Sequence, residues 1–220
     1  MGQQSLFGDS AFVVEHRRIK IPDAELLFFE QAFTAVESQH YFTTLIQETP
    51  WRADHMTIHG KRIPLPRLQT WYGEPGATLN YSGMSLDPLP PTSLLSGIGE
   101  RVFTLTGLRF NGVLATLYRD GNDSVGWHSD NEAEFGPNPI IASVSFGASR
   151  AFILKHLSDP TAKPVKCTLT SGSLLVMGDN VQNCWKHQLP KRKRVTEGRV
   201  NLTFRNIVQG GHSPDPRMRV

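Results

Sequence analysis

Cysteine is scarce: Cys167 and Cys184 are the only two in 220 residues. Two thiols cannot build a disulfide framework, and they point to a reducing interior. Long apolar runs are missing as well. No stretch approaches the roughly 18 residues of a membrane-crossing helix, and residues 1–10 lack the basic-then-apolar pattern of a secretion signal. Extreme charge is also absent. Lys and Arg number 23 against 20 Asp and Glu, a formal charge of +3, and the isoelectric point is near 9.0. That balance permits a polyanionic partner without requiring one. There is no internal repeat and no low-complexity tract. What remains is an ordinary globular composition, 39% hydrophobic, long enough for one domain with a sizeable core. We expect an intracellular monomer with no membrane partner, cytoplasmic in a bacterium or nuclear in a eukaryote.

Along the chain, residues 1–20 are mostly polar and read as an arm or an added strand. Asp23 is placed to cap a helix with Leu26, Phe29, Phe33 and Val36 on one face. Ser38 is placed to cap a second helix carrying Tyr41, Phe42, Leu45 and Ile46, ending at Thr49-Pro50. Both stripes read as core packing. Residues 51–90 change character. Trp51, Trp71, Tyr72 and Tyr81 alternate with Arg52, Lys61, Arg62 and Arg67 among many Gly and Pro. Aromatic faces stack on bases and cations hold phosphates, but a solvated loop region has the same composition. Pro91-Thr92 opens a helix through Leu94, Leu95, Ile98, Val102 and Leu105, stopped at Gly107. Short strand-like runs follow, separated by turns: 113–118, 140–146, 151–155, 166–170, 174–177 and 200–208. Such a pattern predicts a mainly β sandwich or barrel rather than a parallel sheet.

Three clusters carry chemistry. The first is Gly126-Trp127-His128-Ser129-Asp130, read with His187 far downstream. In an extended segment the His-x-Asp spacing puts both side chains on one face. Two imidazoles and one carboxylate form the facial ligand set of a mononuclear iron site with open positions. A His-x-Asp triplet arises by chance in roughly one such chain in three, so its company decides. Cys184-x-x-His187 offers a zinc alternative, but no second pair stands at zinc spacing. The second cluster is Arg199-Val200-Asn201-Leu202-Thr203-Phe204-Arg205. Alternation gives a greasy face and a face bearing Arg199, Asn201, Thr203 and Arg205. The two Arg Cα atoms would lie roughly 20 Å apart, and two side chains reaching roughly 6 Å inward would leave about 8 Å, the span of a short dicarboxylate. A planar guanidinium fork suits a carboxylate. Tyr118 lies on a strand before the ligands, with a hydroxyl to donate to the same carboxylate. The third is Lys191-Arg192-Lys193-Arg194, just past His187, which reads as a phosphate contact or as a solvated loop or targeting signal.

His128-x-Asp130, His187 and the Arg-x-Asn-x-Thr-x-Arg strand resemble the AlkB family of iron(II)/2-oxoglutarate dioxygenases. The resemblance runs from about residue 58 to 208. It is closest to the branch that repairs alkylated duplex DNA, through Pro66-Arg67-Leu68-Gln69-Thr70-Trp71-Tyr72-Gly73, Phe110-Asn111, Pro139-Ile140-Ile141-Ala142-Ser143-Val144-Ser145-Phe146-Gly147 and Trp185-Lys186-His187. It implies a double-stranded β-helix (jelly-roll) core over 108–208. Residues 1–107 would supply an extension, buttressing helices and a nucleotide-recognition lid near 51–90, and 209–220 a tail, all within one domain. His128, Asp130 and His187 would bind Fe(II). Arg199, helped by Tyr118, would hold the distal carboxylate of 2-oxoglutarate, with Thr116 and Asn201 on the same pocket wall and Arg205 near the chelating end. Arg67 and Tyr81 would contact DNA or stack the damaged base, and Glu132 would read its exocyclic group.

The family pattern is broken at three places. Thr116 stands where Asn is usual, Leu79 where an aromatic stacking wall is expected, and His59 where a duplex-probing apolar wedge is expected. The implied reaction is oxidative demethylation of 1-methyladenine or 3-methylcytosine in single- or double-stranded DNA, with O2 as cosubstrate. RNA, a protein or a small molecule is the alternative substrate. A non-catalytic metal-binding β-barrel is the alternative class, distinguished by lacking 2-oxoglutarate turnover.

Overall fold

The computed structural model describes residues 14–58, 60–81 and 84–208. The chain begins with β1 (His16–Ile21) and β2 (Ala24–Phe29), an antiparallel hairpin. Pro22 and Asp23 make its turn, and Asp23 takes φ 61°, a left-handed conformation that Asp tolerates better than most residues. This corrects the helix expected from Asp23. Ala-Glu-Leu-Leu-Phe-Phe satisfies either periodicity, and pairing of β2 with a core strand decides for extension. The helix that does form is α1 (Ala35–Glu48), one element beginning before Ser38. Its cap is Thr34, whose hydroxyl accepts from the Glu37 N–H while Glu37 reaches back to the Thr34 N–H. Val36, expected in an apolar stripe, is 81% exposed.

Two hairpins follow, β3 (His55–Ile58) with β4 (Lys61–Pro64), and β6 (Leu79–Tyr81) with β7 (Met84–Leu86), on either side of β5 (Leu68–Gly73). Then comes α2 (Ser93–Thr106), capped by the Thr92 hydroxyl and ended by Gly107 at φ 71°, as the sequence predicts. The remaining strands are β8 (Gly112–Tyr118), β9 (Val125–His128), β10 (Ile141–Gly147), β11 (Arg150–His156), β12 (Val165–Leu169), β13 (Ser173–Met177), β14 (Trp185–Leu189) and β15 (Arg199–Arg205), with a short α3 (Val181–Cys184) before β14.

These eight strands divide between two sheets. The major sheet runs β1-β2-β13-β10-β15-β8-β5 and the minor sheet β12-β11-β14-β9. Four strands in each, exchanged in sequence order as 8, 10, 13, 15 and 9, 11, 12, 14, give the double-stranded β-helix. From the first 107 residues, β1, β2 and β5 extend the major sheet. Its outer face is covered by α1 and α2, with Leu45, Leu95, Ile98 and Val102 packed against Val144, Phe146, Val200, Leu202 and Phe204. The inner faces of both sheets enclose a second cluster that includes Phe28, Ile141, Leu154, Leu169, Leu175 and Trp185. Each such side chain, fully buried, contributes about 1.5–3 kcal/mol, so the ligand-bearing strands sit in a stiff frame.

Candidate active site

His128 ends β9, and His187 stands opposite it in register on β14. Their ring centroids are 4.3 Å apart. Asp130 lies two residues beyond His128, buried, its backbone N–H donating to Gln182 Oε1 at 2.9 Å. Its Oδ2 is 3.8 Å from His187 Nε2. One ligand atom from each of the three lies within 4.8 Å of the others. Two bonds of about 2.2 Å to one ion span at most about 4.4 Å, so small side-chain adjustments close the set. The protonation states suit a metal. His128 Nδ1 is 2.9 Å from the Gly126 carbonyl, which only accepts, so Nδ1 carries the proton and Nε2 keeps its lone pair. Burial pushes the His187 imidazole down to about 3, helped by His128, so it is neutral at pH 7. Burial alone would raise the Asp130 carboxyl; the Arg205 charge, with His128 and His187, overrides this and holds it at about 2.

Asn201, Thr203 and Arg205 of the polar face of β15 line the same cavity, about 60 Å³, together with the triad, Thr116, Tyr118 and Phe152, and Arg199 lies against the Tyr118 ring, its Cζ 5.3 Å from the centroid. A larger cleft of about 390 Å³ beside α2 contains none of these residues. Arg199 pairs in register with Tyr118, and Asn201 with Thr116. Arg199 Nη2 donates to Ser145 Oγ at 2.8 Å and to Asn201 Oδ1 at 2.6 Å. Burial pushes its pKa down to about 10, which leaves it cationic at neutral pH. Arg205 Nη2 donates to Asp130 Oδ1 at 2.9 Å. This corrects the symmetric clamp inferred from spacing: Arg205 is tied to the carboxylate ligand, and only Arg199 is left for the far end of a dicarboxylate. Among the described residues, Arg199 Nε, Arg205 Nε and Arg205 Nη1 are buried without an acceptor. Buried N–H groups without an acceptor are costly, and a dicarboxylate supplies the acceptors. The residues therefore fit both Fe(II) and 2-oxoglutarate.

The substrate-side residues are scattered. Arg67 is buried in the cavity wall rather than on a lid, donating to the Ser124 carbonyl at 3.2 Å. Glu132 is half-buried at the turn after Asp130; burial first, then the neighbouring Asp130 charge, raises its carboxyl pKa. Tyr81 ends β6, where its backbone pairs with Met84, and His59 lies outside the described residues. Lys191, Arg192, Lys193 and Arg194 are all exposed and line a cleft of about 560 Å³ with Lys166. Leu79 is fully buried among Trp71, Leu86 and Phe135, so it is core and not a stacking wall. Trp71 and Tyr72 are also core, Trp71 donating to the Ala77 carbonyl at 2.7 Å, and neither offers a free face. Cys184 does not join His187. It groups with Asp23 and His156, but His156 Nδ1 accepts the Ser158 and Asp159 N–H groups at 3.3 and 2.9 Å. The proton is then on Nε2, 3.3 Å from Asp23 Oδ2, and zinc would have to displace it.

Ser143, Ser145 and Gln182 join the site without having stood out in the sequence. Both serines donate to Asn201 Oδ1, and Gln182 fixes the backbone of Asp130. Ser and Gln carry no signal of their own; only the period of β10 puts both serines on the face that meets Asn201.

The sequence matches the 2OG-Fe(II) oxygenase superfamily over residues 25–205. It is 40% identical over 185 residues to the mouse protein DNA oxidative demethylase ALKBH2, covering 80% of this chain and 77% of that one. It is 38% identical over 189 residues to human alpha-ketoglutarate-dependent dioxygenase alkB homolog 3, covering 82% and 64%. The chain belongs to the AlkB family of 2OG-Fe(II) oxygenases. It is accordingly an Fe(II)/2-oxoglutarate-dependent dioxygenase with O2 as cosubstrate. The fold agrees: the solved structure of OsALKBH1 superposes with a TM-score of 0.59 at 15% identity, covering 87% of this chain and 100% of that one. Among the described residues no helix is long and apolar enough to cross a membrane.

Proposed function

We propose that this dioxygenase repairs DNA by demethylating N-alkylated bases, 1-methyladenine and 3-methylcytosine. The observation that carries the substrate is its 40% identity, over four-fifths of its length, to a protein named for DNA oxidative demethylation. His128, Asp130 and His187 would hold Fe(II); Arg199 and Tyr118 would take the distal carboxylate of 2-oxoglutarate, with Thr116 and Asn201 on the wall. Bound there, the two supply the oxidising chemistry: one atom of O2 enters the N-methyl group, which leaves as formaldehyde, and the other converts 2-oxoglutarate to succinate and CO2.

The protein's own groups do the rest. Arg205 balances the Asp130 charge and keeps that carboxylate ionised and oriented. The low pKa of His187 keeps its ring a neutral ligand in a closed site. Glu132, next to the metal ligands, faces the exocyclic group of a base brought to the cavity, and Arg67 and Tyr81 contact the nucleotide. His59, between β3 and β4 in sequence, probes the duplex. A methyl on the Watson–Crick edge is reached only in a flipped or unpaired base, and Lys191 to Arg194 hold the phosphates.

The test is formaldehyde release from a single 3-methylcytosine in matched single-stranded DNA, duplex DNA and RNA. Release from DNA above RNA is expected. 2-Oxoglutarate turnover with no release from either DNA would move the substrate to another class.

A further inference from the structure

Arg150 opens β11 and is 2% exposed. Among the described residues its guanidinium bonds to main chain alone: Nη1 to the Asp120 carbonyl at 3.1 Å, Nη2 to the Asp123 carbonyl at 2.9 Å and to the Pro190 carbonyl at 2.8 Å. No carboxylate pairs with it among the described residues; the Asp123 carboxylate is taken by Arg119 at 2.8 and 2.9 Å. Burying a cation against carbonyls alone is costly, so the arrangement calls for a reason.

The three carbonyls supply one. Asp120 and Asp123 bracket the turn between β8, which ends at Tyr118, and β9, which ends at the ligand His128. Pro190 follows β14, which carries His187, and opens the basic run. One guanidinium thus ties the exit from Tyr118, the approach to His128 and the exit from His187. The same two segments are joined again by backbone: the Gly121 N–H donates to the Val195 carbonyl at 2.8 Å and the Arg192 N–H to the Gly121 carbonyl at 2.6 Å. A Cβ on Gly121 would lie 1.9 Å from the Arg192 carbonyl oxygen, so only glycine permits this approach. The run 191–194 is therefore pinned at its start and middle while its side chains stay in solvent. On the cavity side, the Tyr118 ring has the Arg150 Cζ 5.8 Å from its centroid and the Arg199 Cζ 5.3 Å from it.

We propose that Arg150 is a positioning residue that couples the two halves of the active site, setting Tyr118 for 2-oxoglutarate and the Lys191–Arg194 loop for nucleic-acid phosphates through one buried guanidinium. It touches neither ligand. The proposal rests on the functional reading above, and its two arms separate the two. Lysine keeps the charge but loses the planar fork that reaches three carbonyls.

The experiment compares wild type with Arg150→Lys and Arg150→Gln, full chain. It measures 2-oxoglutarate affinity of the Fe(II)-loaded protein by calorimetry without oxygen, the salt dependence of DNA affinity by anisotropy, and Tm. Temperatures are kept well below the lowest Tm. In Arg150→Lys, 2-oxoglutarate affinity falls about tenfold, as for outer partners of a binding group. The log–log salt slope shrinks by about one to two, as one or two phosphates go unneutralised at about 0.9 each. A lower Tm with 2-oxoglutarate affinity within twofold of wild type and the salt slope unchanged overturns it, leaving Arg150 a core residue. Movement of only one parameter also overturns it, because the claim is coupling. If Arg150→Lys does not fold, Arg150→Gln, which removes the buried charge, carries the same readouts and the same expected direction. Wild type that binds no DNA fails the functional reading, and the 2-oxoglutarate arm then still decides whether Arg150 sets Tyr118.

Discussion

Two regions of this molecule carry the same residue types to opposite ends. In β8 and β15 every residue is buried, charged ones included, and polar side chains bond to one another: Arg199 with Ser145 and Asn201, Asn201 with Thr203, Arg205 with Asp130. In β4 every residue is exposed, and the basic run 191–194 is exposed too. The first region is a buried polar network in which each group's geometry is set by its partners. The second is a set of cations on stems held by backbone. Chemistry therefore resides where side chains have no freedom, and substrate contact where they keep it. Loss of one group should be catastrophic in the first region and graded in the second.

The largest expected effect breaks the first region. Asp130→Ala removes a metal ligand and leaves Arg205 buried without its carboxylate. Breaking a buried pair from one side costs about 3–5 kcal/mol. Succinate formation should fall to background, and the metal-free protein should lose stability of that order in urea. A variant with full metal-free stability would show that the 2.9 Å Arg205–Asp130 pair is not a fixed part of the network.

Next is Arg199→Lys. A point charge replaces a fork that already spends one nitrogen on Ser145 and Asn201. A hydrogen bond to a charged group is worth about 1.5–3 kcal/mol, so KM for 2-oxoglutarate should rise about 10- to 100-fold with Fe(II) affinity unchanged. Unchanged KM would take the distal carboxylate away from Arg199.

Legibility in the sequence follows the same division. Alternation along β15 separates Val200, Leu202 and Phe204 from Arg199, Asn201, Thr203 and Arg205, and those faces are the ones found. That both faces are buried is not legible, because it depends on a second sheet arriving from β9, β11, β12 and β14. The symmetric clamp fails for a related reason: spacing along β15 treats both guanidiniums as free, whereas Asp130 reaches Arg205 from 75 residues away. Residues 24–29 suggest a helix because Leu26 and Phe29 continue at helical spacing into Phe33 and Val36, and pairing with β13 settles it as a strand. The aromatics of 51–90 mislead differently. Trp71 and Tyr72 lie on β5, a strand of the major sheet, so their neighbours in sequence are not their neighbours in space.

The second region should respond by degrees. Reversing Lys191, Arg192, Lys193 and Arg194 to Glu should weaken DNA binding and flatten its salt dependence, by about 0.9 in slope for each phosphate no longer neutralised. 2-Oxoglutarate turnover without DNA should not change. An unaltered slope would remove the run from the interface.

The smallest effect lies on the seam between the regions. Burial alone would raise the Asp123 carboxyl; the Arg119 side chain and backbone N–H, with the Arg119 and Arg150 charges, override this and hold it below its ordinary 3.8. A carboxylate with a depressed folded-state pKa adds stability that is present above its unfolded value and is lost as pH falls through the folded one. Asp123→Asn should therefore flatten the stability curve below pH 3.8 and cost under about 1 kcal/mol at neutral pH, since Arg119 is largely in water. The Asp123 carbonyl that Arg150 holds is main chain and survives the change. A variant that instead moved 2-oxoglutarate or DNA affinity would place the carboxylate, and not the backbone, in charge of the turn between Tyr118 and His128.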